Sequence, residues 1–288
     1  MESVFSSFVQ ILVRGYVHFY MIMKRRFGIR LRGLGFALRN IRQEYIFYTH
    51  GFKFWFNPRC AAAYCVLPGG YWNEPETHVF LDNILKRVAV DIEFIDVGAS
   101  VGEMVIPMAT QKRVHKVTAF EPQIQCALAI EKSAQINNLT NISVLPCVAS
   151  EKSGVIGFAS SLRKPTAASF SQLSESPKVP CVTVDETIVP NENLLTIILI
   201  DVEGQEPVVM RGAARLIKDN LPLIIFEYNH TSKKYFSLDD IRNILPSSYR
   251  IYRLCGDGKL DQNFSNSWNC IAVSVDTEFA TICEELIA

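Results

Sequence analysis

Three acidic positions beside small-residue turns are spaced for chemistry. In FIDVGASVGEM, residues 94–104, the carboxylate of Asp96 stands two residues before Gly98. Gly98, Ser100 and Gly102 form a G-x-S-x-G turn. It lacks the middle glycine that lets a dinucleotide pyrophosphate approach the backbone of G-x-G-x-x-G. Asp96 would also repel a pyrophosphate and attract a cationic amine. S-adenosylmethionine carries an α-ammonium and a sulfonium, so the turn favours a methyl donor over NAD. On this stretch alone an ordinary strand-to-helix turn remains the alternative. Glu121 lies 19 residues after Gly102, about where an acid reaches the ribose hydroxyls of a bound nucleoside. Its alternative is a helix-start acid before Pro122. The third position is the run Asp201-Val202-Glu203-Gly204. Two acids at the mouth of a buried strand are costly unless paired, hydrated or used. They could orient a methyl acceptor, take its proton or hold a divalent metal. Otherwise one pairs with Arg211 or Arg215 and the other caps the next helix. Asp201 takes the lead role as base, with Glu203, Glu227 and His230 as further candidates. His230 has the alternative of a solvent-facing loop.

These residues need a scaffold that gathers them on one edge. The apolar runs at 94–97, 116–120, 143–146, 196–201 and 223–228 alternate with helical stretches at 103–111, 123–137, 207–218 and 237–245. Such alternation predicts an α/β, doubly wound, mostly parallel sheet, with ligands beyond the carboxyl ends of the strands. The runs 249–254 and 269–275 read as a closing pair, with room for one antiparallel strand. Residues 155–159 predict a short strand, and 160–180, rich in Ser, Pro, Thr and Ala, a loop. Arg163, Lys164 and Ser169 in that loop are candidates for shaping an acceptor pocket. The stretch 69–85 predicts a turn and a helix that starts near Asn73 or Glu74, with Pro75 in its first turn.

Charge divides the chain. Its 288 residues carry no formal net charge, yet residues 1–42 hold eight Lys/Arg and one acid, Glu2, for a net +7. The remainder carries −7. Within that leader Phe5, Phe8, Val9, Leu12, Val13, Tyr16 and Tyr20 recur at helical spacing. Arg14 and His18 interrupt the run of ~20 apolar residues that a spanning helix needs. The positive charge follows the apolar stretch, the reverse of a signal peptide. Two readings stand side by side: a helix lying on an anionic membrane surface, or one packed on the domain or a dimer partner. The eight cysteines include no C-x-x-C pair, and read as reduced thiols of a cytoplasmic protein, peripheral to a membrane where the leader docks on one. No metal ligand set is assigned. Nucleic acid is not expected, because the basic run lacks a reading motif and no N/D-P-P-Y/F tetrad follows the fourth strand.

The set FIDVGASVGEM, TAFEP, NNLTNISVLPCVAS, VTVDE, LIDVEGQEPVVMRGA and PLIIFEYN, with GGYWNEPET upstream, resembles the FkbM family of S-adenosylmethionine-dependent methyltransferases. The likeness runs from about 69 to about 275 and leaves 1–60 uncovered. It implies a class I methyltransferase (Rossmann-like) fold, with a seven-stranded sheet whose last strand is antiparallel. A basic amphipathic N-terminal extension, 1–68, would precede the methyltransferase domain, 69–288. The resemblance also implies O-methylation of a hydroxyl on a sugar or glycan, polyketide or other small metabolite. Asp96, Gly98, Ala99, Ser100 and Gly102 would wrap the methionine half of the donor, and Glu121, beside Pro122, would take the ribose. Asn141, Ala149 and Ser150 would lie near the adenine. Asp201 and Glu203 would face the transferring methyl, and Glu74, Glu76 and Thr77 would close the pocket lip, with Glu227 nearby. Two departures stand out: Ser100 replaces the usual Asn, and Leu199 replaces a Lys before the I-D-V-E-G run. The second removes a positive charge beside Asp201. A non-catalytic, membrane-associated protein that keeps the fold is therefore the alternative.

Overall fold

The computed structural model describes residues 4–27, 38, 41–161, 164–170 and 177–288. Its centre is β10 (Leu195–Ile200), LTIILI, apolar on both faces as a covered parallel strand must be. β10 pairs in parallel with β3 (Ile92–Val97) on one side and β11 (Leu223–Glu227) on the other. Beyond β3 lie β4 (Val114–Phe120) and β5 (Ile142–Leu145), also parallel. Beyond β11, β14 (Asn269–Ser274) runs antiparallel, followed by β12 (Tyr249–Leu254). The expected seven strands, with the last one reversed, are therefore present. The two-residue β13 (Leu260–Asp261) adds an eighth at the edge, giving the order β13-β12-β14-β11-β10-β3-β4-β5.

Alternation along the strands feeds two apolar layers. Phe94, Ile197, Leu199 and Ile225 face one layer, covered by α2 (Pro75–Arg87), α3 (Val105–Ala109) and α9 (Glu278–Glu285). Ile95, Val97, Ile198, Ile200, Ile224 and Phe226 face the other, under α6 (Glu206–Gly212), α7 (Ala214–Asn220) and α8 (Leu238–Ile244). α4 (Ile124–Ile136) connects β4 to β5.

The helix expected at 207–218 is two helices. A Cβ on Gly212 would sit 1.9 Å from the Ser150 carbonyl oxygen, so the chain needs a glycine where α6 meets the loop after β5. The expected loop 160–180 is instead largely strand. β7 (Gly154–Ser161), β8 (Lys164–Phe170) and β9 (Lys178–Val182) form an antiparallel sheet, joined through β9 to the two-residue β6 (Val148–Ala149). β7 covers the short strand expected at 155–159. Composition hid β8 and β9, because Ser, Thr and Ala carry little apolar periodicity and only the pairing makes strands of them. Arg163 lies outside the described residues, as do the side chains of Lys164 and Ser169.

Ahead of the sheet, a hairpin of β1 (Tyr45–Thr49) and β2 (Phe52–Phe56) packs on α4. Trp55 N donates to Ser133 Oγ at 3.0 Å, and Asn57 Nδ2 to the Gln125 carbonyl at 2.9 Å. These contacts join residues 45–57 to α4 of the sheet domain. α1 (Val4–Phe27) lies against the same hairpin. No helix among the described residues is long and apolar enough to cross a membrane.

Candidate active site

At the carboxyl rim, the turns after β3, β4, β10 and β11 meet. Gly98 N and Ala99 N both donate to the Phe120 carbonyl, at 2.9 and 3.1 Å, and Asp201 N donates to the Val97 carbonyl at 2.9 Å. The approach is close: Gly98 has φ +92°, and a Cβ there would lie 2.0 Å from the Asp201 carbonyl oxygen. Ser100 and Glu203 hold φ near +50° and +55°, a left-handed conformation uncommon outside glycine and often found at functional turns.

Two clefts open on either side of this junction and share Gly98, Ser100, Asp201 and Glu203. The first, of about 750 Å³, is lined by Phe120, Glu121, Pro122, Cys147, Ala149 and Phe158. Beyond the shared Asp201 and Glu203, its walls are apolar with one further acid, Glu121, which suits a nucleoside. Each oxygen of the Glu121 carboxylate accepts one backbone N–H, from Ser100 at 2.8 Å and from Gln123 at 2.7 Å. Those bonds fix its plane and leave further lone pairs for a diol. Burial pushes Glu121 up to about 7, against the lowering effect of the two N–H donors.

The second cleft, of about 1050 Å³, gathers Asn73, Glu74, Asp96, Glu103, Asp201, Glu203, Glu227 and Trp268, with no Lys or Arg in its lining. Asp96 is 3% exposed, and no described residue donates a hydrogen bond to its carboxylate. Burial, then Glu74, Glu121 and Glu103, raises its pKa well above the usual range. Burial also raises Asp201 well above its usual value, assisted by Glu227 and Glu74. Burial lifts Glu74 to about 7 and Glu227 to about 8. A buried acidic chamber without a cation of its own fits a cationic ligand.

The placements of the expected residues divide. Ala99 lines the second cleft, and Gly102 lies behind it, packed toward Ile130. Thr77 sits behind Glu74: it donates to Glu74 Oε2 at 3.1 Å and accepts from Asn269 Nδ2 at 2.9 Å. Ser150 lies behind Ala149 and donates its N–H to the Val182 carbonyl. Glu76 and His230 line neither cleft, and His230 is exposed, its ring 6.5 Å from Trp268. Asn141 is at the opposite end of the sheet. It precedes β5, and its Nδ2 donates to the Ala109 and Val114 carbonyls at 3.0 and 3.2 Å. The first cleft is lined instead by Cys147, Val148 and Phe158 beside the expected Ala149. Asp201 and Glu203 do share a cleft, through the turn at Glu203 and not by strand alternation, since β10 ends at Ile200. Arg211 and Arg215 turn elsewhere, to Glu151 and to the Asp185 carbonyl.

Two acids went unread in the sequence. Glu103 anchors the lip, accepting from Asn73 N at 2.7 Å and from Glu74 N at 3.3 Å. Glu206 is fully buried. Its Oε1 accepts from Val202 N and Gly204 N at 3.1 and 3.2 Å, while its Oε2 finds no hydrogen-bond partner among the described residues. One oxygen each of Asp201, Glu206 and Glu227 lie within 4.8 Å of one another, close enough for a divalent cation to span.

The methyltransferase FkbM domain matches residues 96–256, more than half of the chain, and spans every turn of this rim. The chain belongs to the FkbM methyltransferase family. Among solved structures, this FkbM-family chain is similar to methyltransferase FkbM from Methylobacillus flagellatus KT, with 18% identity and a TM-score of 0.46. That match covers 76% of this chain and 55% of the other, so this chain spans little more than half of that protein's length. It is also similar to M. jannaschii TYW2 in complex with AdoMet, at 8% identity and TM-score 0.41, over 80% of this chain and 84% of that one. An rRNA methylase from Streptococcus thermophilus follows, at 10% identity and TM-score 0.42, over 71% and 98%. No curated protein matches this FkbM-family sequence.

Proposed function

We propose that this FkbM-family chain is an S-adenosylmethionine-dependent methyltransferase that methylates a hydroxyl of a sugar, glycan or other small acceptor. The observation that carries this reading is the pair of clefts joined at Gly98 and Asp201: beyond the shared Asp201 and Glu203, one has apolar walls and the oriented Glu121, and the other adds Glu74, Asp96, Glu103 and Glu227 with no Lys or Arg. Glu121 would accept from the ribose hydroxyls of the donor. Asp96, with no donor of its own, would meet the α-ammonium. Bound there, S-adenosylmethionine would supply an electrophilic methyl on a cationic sulfur. Asp201 is shared by both clefts, so it stands where donor and acceptor meet. Burial keeps its carboxylate a stronger base than an exposed aspartate, suited to taking or sharing the acceptor's proton. The acceptor would enter past Asn73, Glu74 and Trp268, where Glu227 and Glu203 complete the wall.

A calorimetric or thermal-shift screen with S-adenosylmethionine, S-adenosylhomocysteine and NAD tests the donor. Binding of the first two and not of NAD is expected, whereas NAD binding alone would end the reading. Asp201→Asn is expected to keep donor affinity within about threefold and to lower turnover by about a hundredfold or more. Leu199 in the acidic cleft favours the second reading, a fold that binds donor without turnover. Donor binding with no methyl transfer to any member of a broad acceptor panel would support it.

A further inference from the structure

α1 runs for 24 residues, about 36 Å at 1.5 Å per residue. One side of it is seated on the protein. Val17 is fully buried and Met21 is 8% exposed, and Val13 packs on the hairpin cluster. A Cβ on Gly69 would lie 2.3 Å from Val17, so the helix is flush against the turn at 67–69. Arg14 donates to the Tyr48 carbonyl at 2.5 Å, and His18 Nδ1 shares a 2.6 Å hydrogen bond with the Tyr71 hydroxyl. These contacts fix the rotation of the helix about its axis.

The opposite side is apolar as well. Ile11 is 67% exposed, Leu12 57%, Phe19 54% and Ile22 42%. At about 100° per residue, Ile11, Ile22, Gly15, Phe19 and Leu12 fall within one sector of about 100°, turned away from the domain. The spacing alone offered either packing on the domain or a free amphipathic face. The structure has one apolar face for each.

Charge selects what covers the outer face. No acidic residue occurs between Glu2 and Glu44, and Lys24, Arg25 and Arg26 close the helix, with Arg30, Arg32, Arg39 and Arg42 beyond. A second copy packed parallel on this face would set two such basic segments against each other, and an antiparallel copy would bring no acid from its own helix to answer them. An anionic lipid surface answers both the apolar stripe and the positive charge. The helix is not apolar enough to span. We propose that α1 lies in the interface of an anionic membrane, with Ile11, Leu12, Phe19 and Ile22 inserted and the net positive charge of the leader drawing it to that surface. The helix contacts Tyr71, two residues before Asn73 at the lip of the acidic cleft, so membrane docking brings that lip near the lipid surface.

The test is cosedimentation of the full chain with vesicles of phosphatidylcholine alone and of phosphatidylcholine mixed with phosphatidylglycerol. Binding to the mixed vesicles only, weakening with salt, is expected. The variant Phe19→Glu with Ile22→Glu should partition about tenfold less or weaker still, with its melting temperature unchanged. Phe19→Ser serves as the milder change should the double variant fold poorly. Three outcomes would overturn the proposal: no partition of the unaltered chain onto anionic vesicles, equal partition of the variants, or a dimer in light scattering that the variants dissociate. Donor binding, measured without vesicles, reports separately on the methyltransferase reading.

Discussion

Glu121 is held by two backbone donors before any ligand arrives, one on each oxygen. That pre-orientation makes its charge useful to a ribose and its substitution informative. Glu121→Gln would turn an amide N–H₂ toward either Ser100 N or Gln123 N, two donors facing each other. Charge-assisted bonds of about 1.5–3 kcal/mol would be lost, so donor affinity is expected to fall about ten- to hundredfold in calorimetry. Unchanged affinity would remove the ribose assignment. The same reasoning separates the acids that spacing found from those it missed. Asp96, Glu121 and Asp201 stand at strand ends next to glycine or proline, where sequence marks them. Glu206 is the first residue of α6 and works through backbone N–H groups, a role that residue type alone does not announce. Asn141 errs in the other direction. It sits in a polar run typical of a site, but at the amino end of a four-residue strand, where its amide ties α3 and β4 together.

Among the elements, the junction of α6 with the loop after β5 shows how a local rule is overridden. Glycine inside a helix costs about 1 kcal/mol relative to alanine, which argues for replacing Gly212. The Ser150 carbonyl, 1.9 Å from the position a Cβ would take, argues against it and wins. Gly212→Ala is expected to destabilise the chain by about 1–3 kcal/mol, read from the urea midpoint, and to loosen the Val148–Ala149 wall of the first cleft. Gly256→Ala, with open space around its Cβ position, is the matched control and should be near neutral. If both substitutions behave alike, the close approach at Ser150 is not what sets the break between α6 and α7. The strands β7 to β9 make the complementary point. Phe158 lines the first cleft from β7, a strand the sequence foretold at 155–159, yet no periodic pattern in 160–180 foretold the β8 and β9 that pair with it.

For the whole molecule, the acidic chamber carries a pH signature. Burial holds Glu74, Glu121 and Glu206 near about 7 and Glu227 near about 8, against 4.5 for a free glutamate. Between those values the folded chain keeps protons that the unfolded chain has released. Stability of the ligand-free protein therefore falls as pH rises through that window. Its melting temperature is expected to be higher near about pH 5.5 than near about pH 8.5. Donor affinity should run the other way, rising with pH as Glu121 and its neighbours ionise toward a cationic ligand. A flat stability profile would mean that these carboxyls are hydrated and ordinary.

The sequence by itself determined the sheet, its alternation with helices and the three acids at strand ends, because apolar runs and glycine turns act over a few residues. It also determined the basic leader, which is a matter of composition. Tertiary structure alone decided that Asp201 belongs to both clefts, that Glu103 and Glu206 join the acids while Asn141 and His230 do not, and that α1 buries one apolar face and exposes the other. Each of these depends on which distant segments come within hydrogen-bond or van der Waals reach, and that distance is set by packing across the sheet.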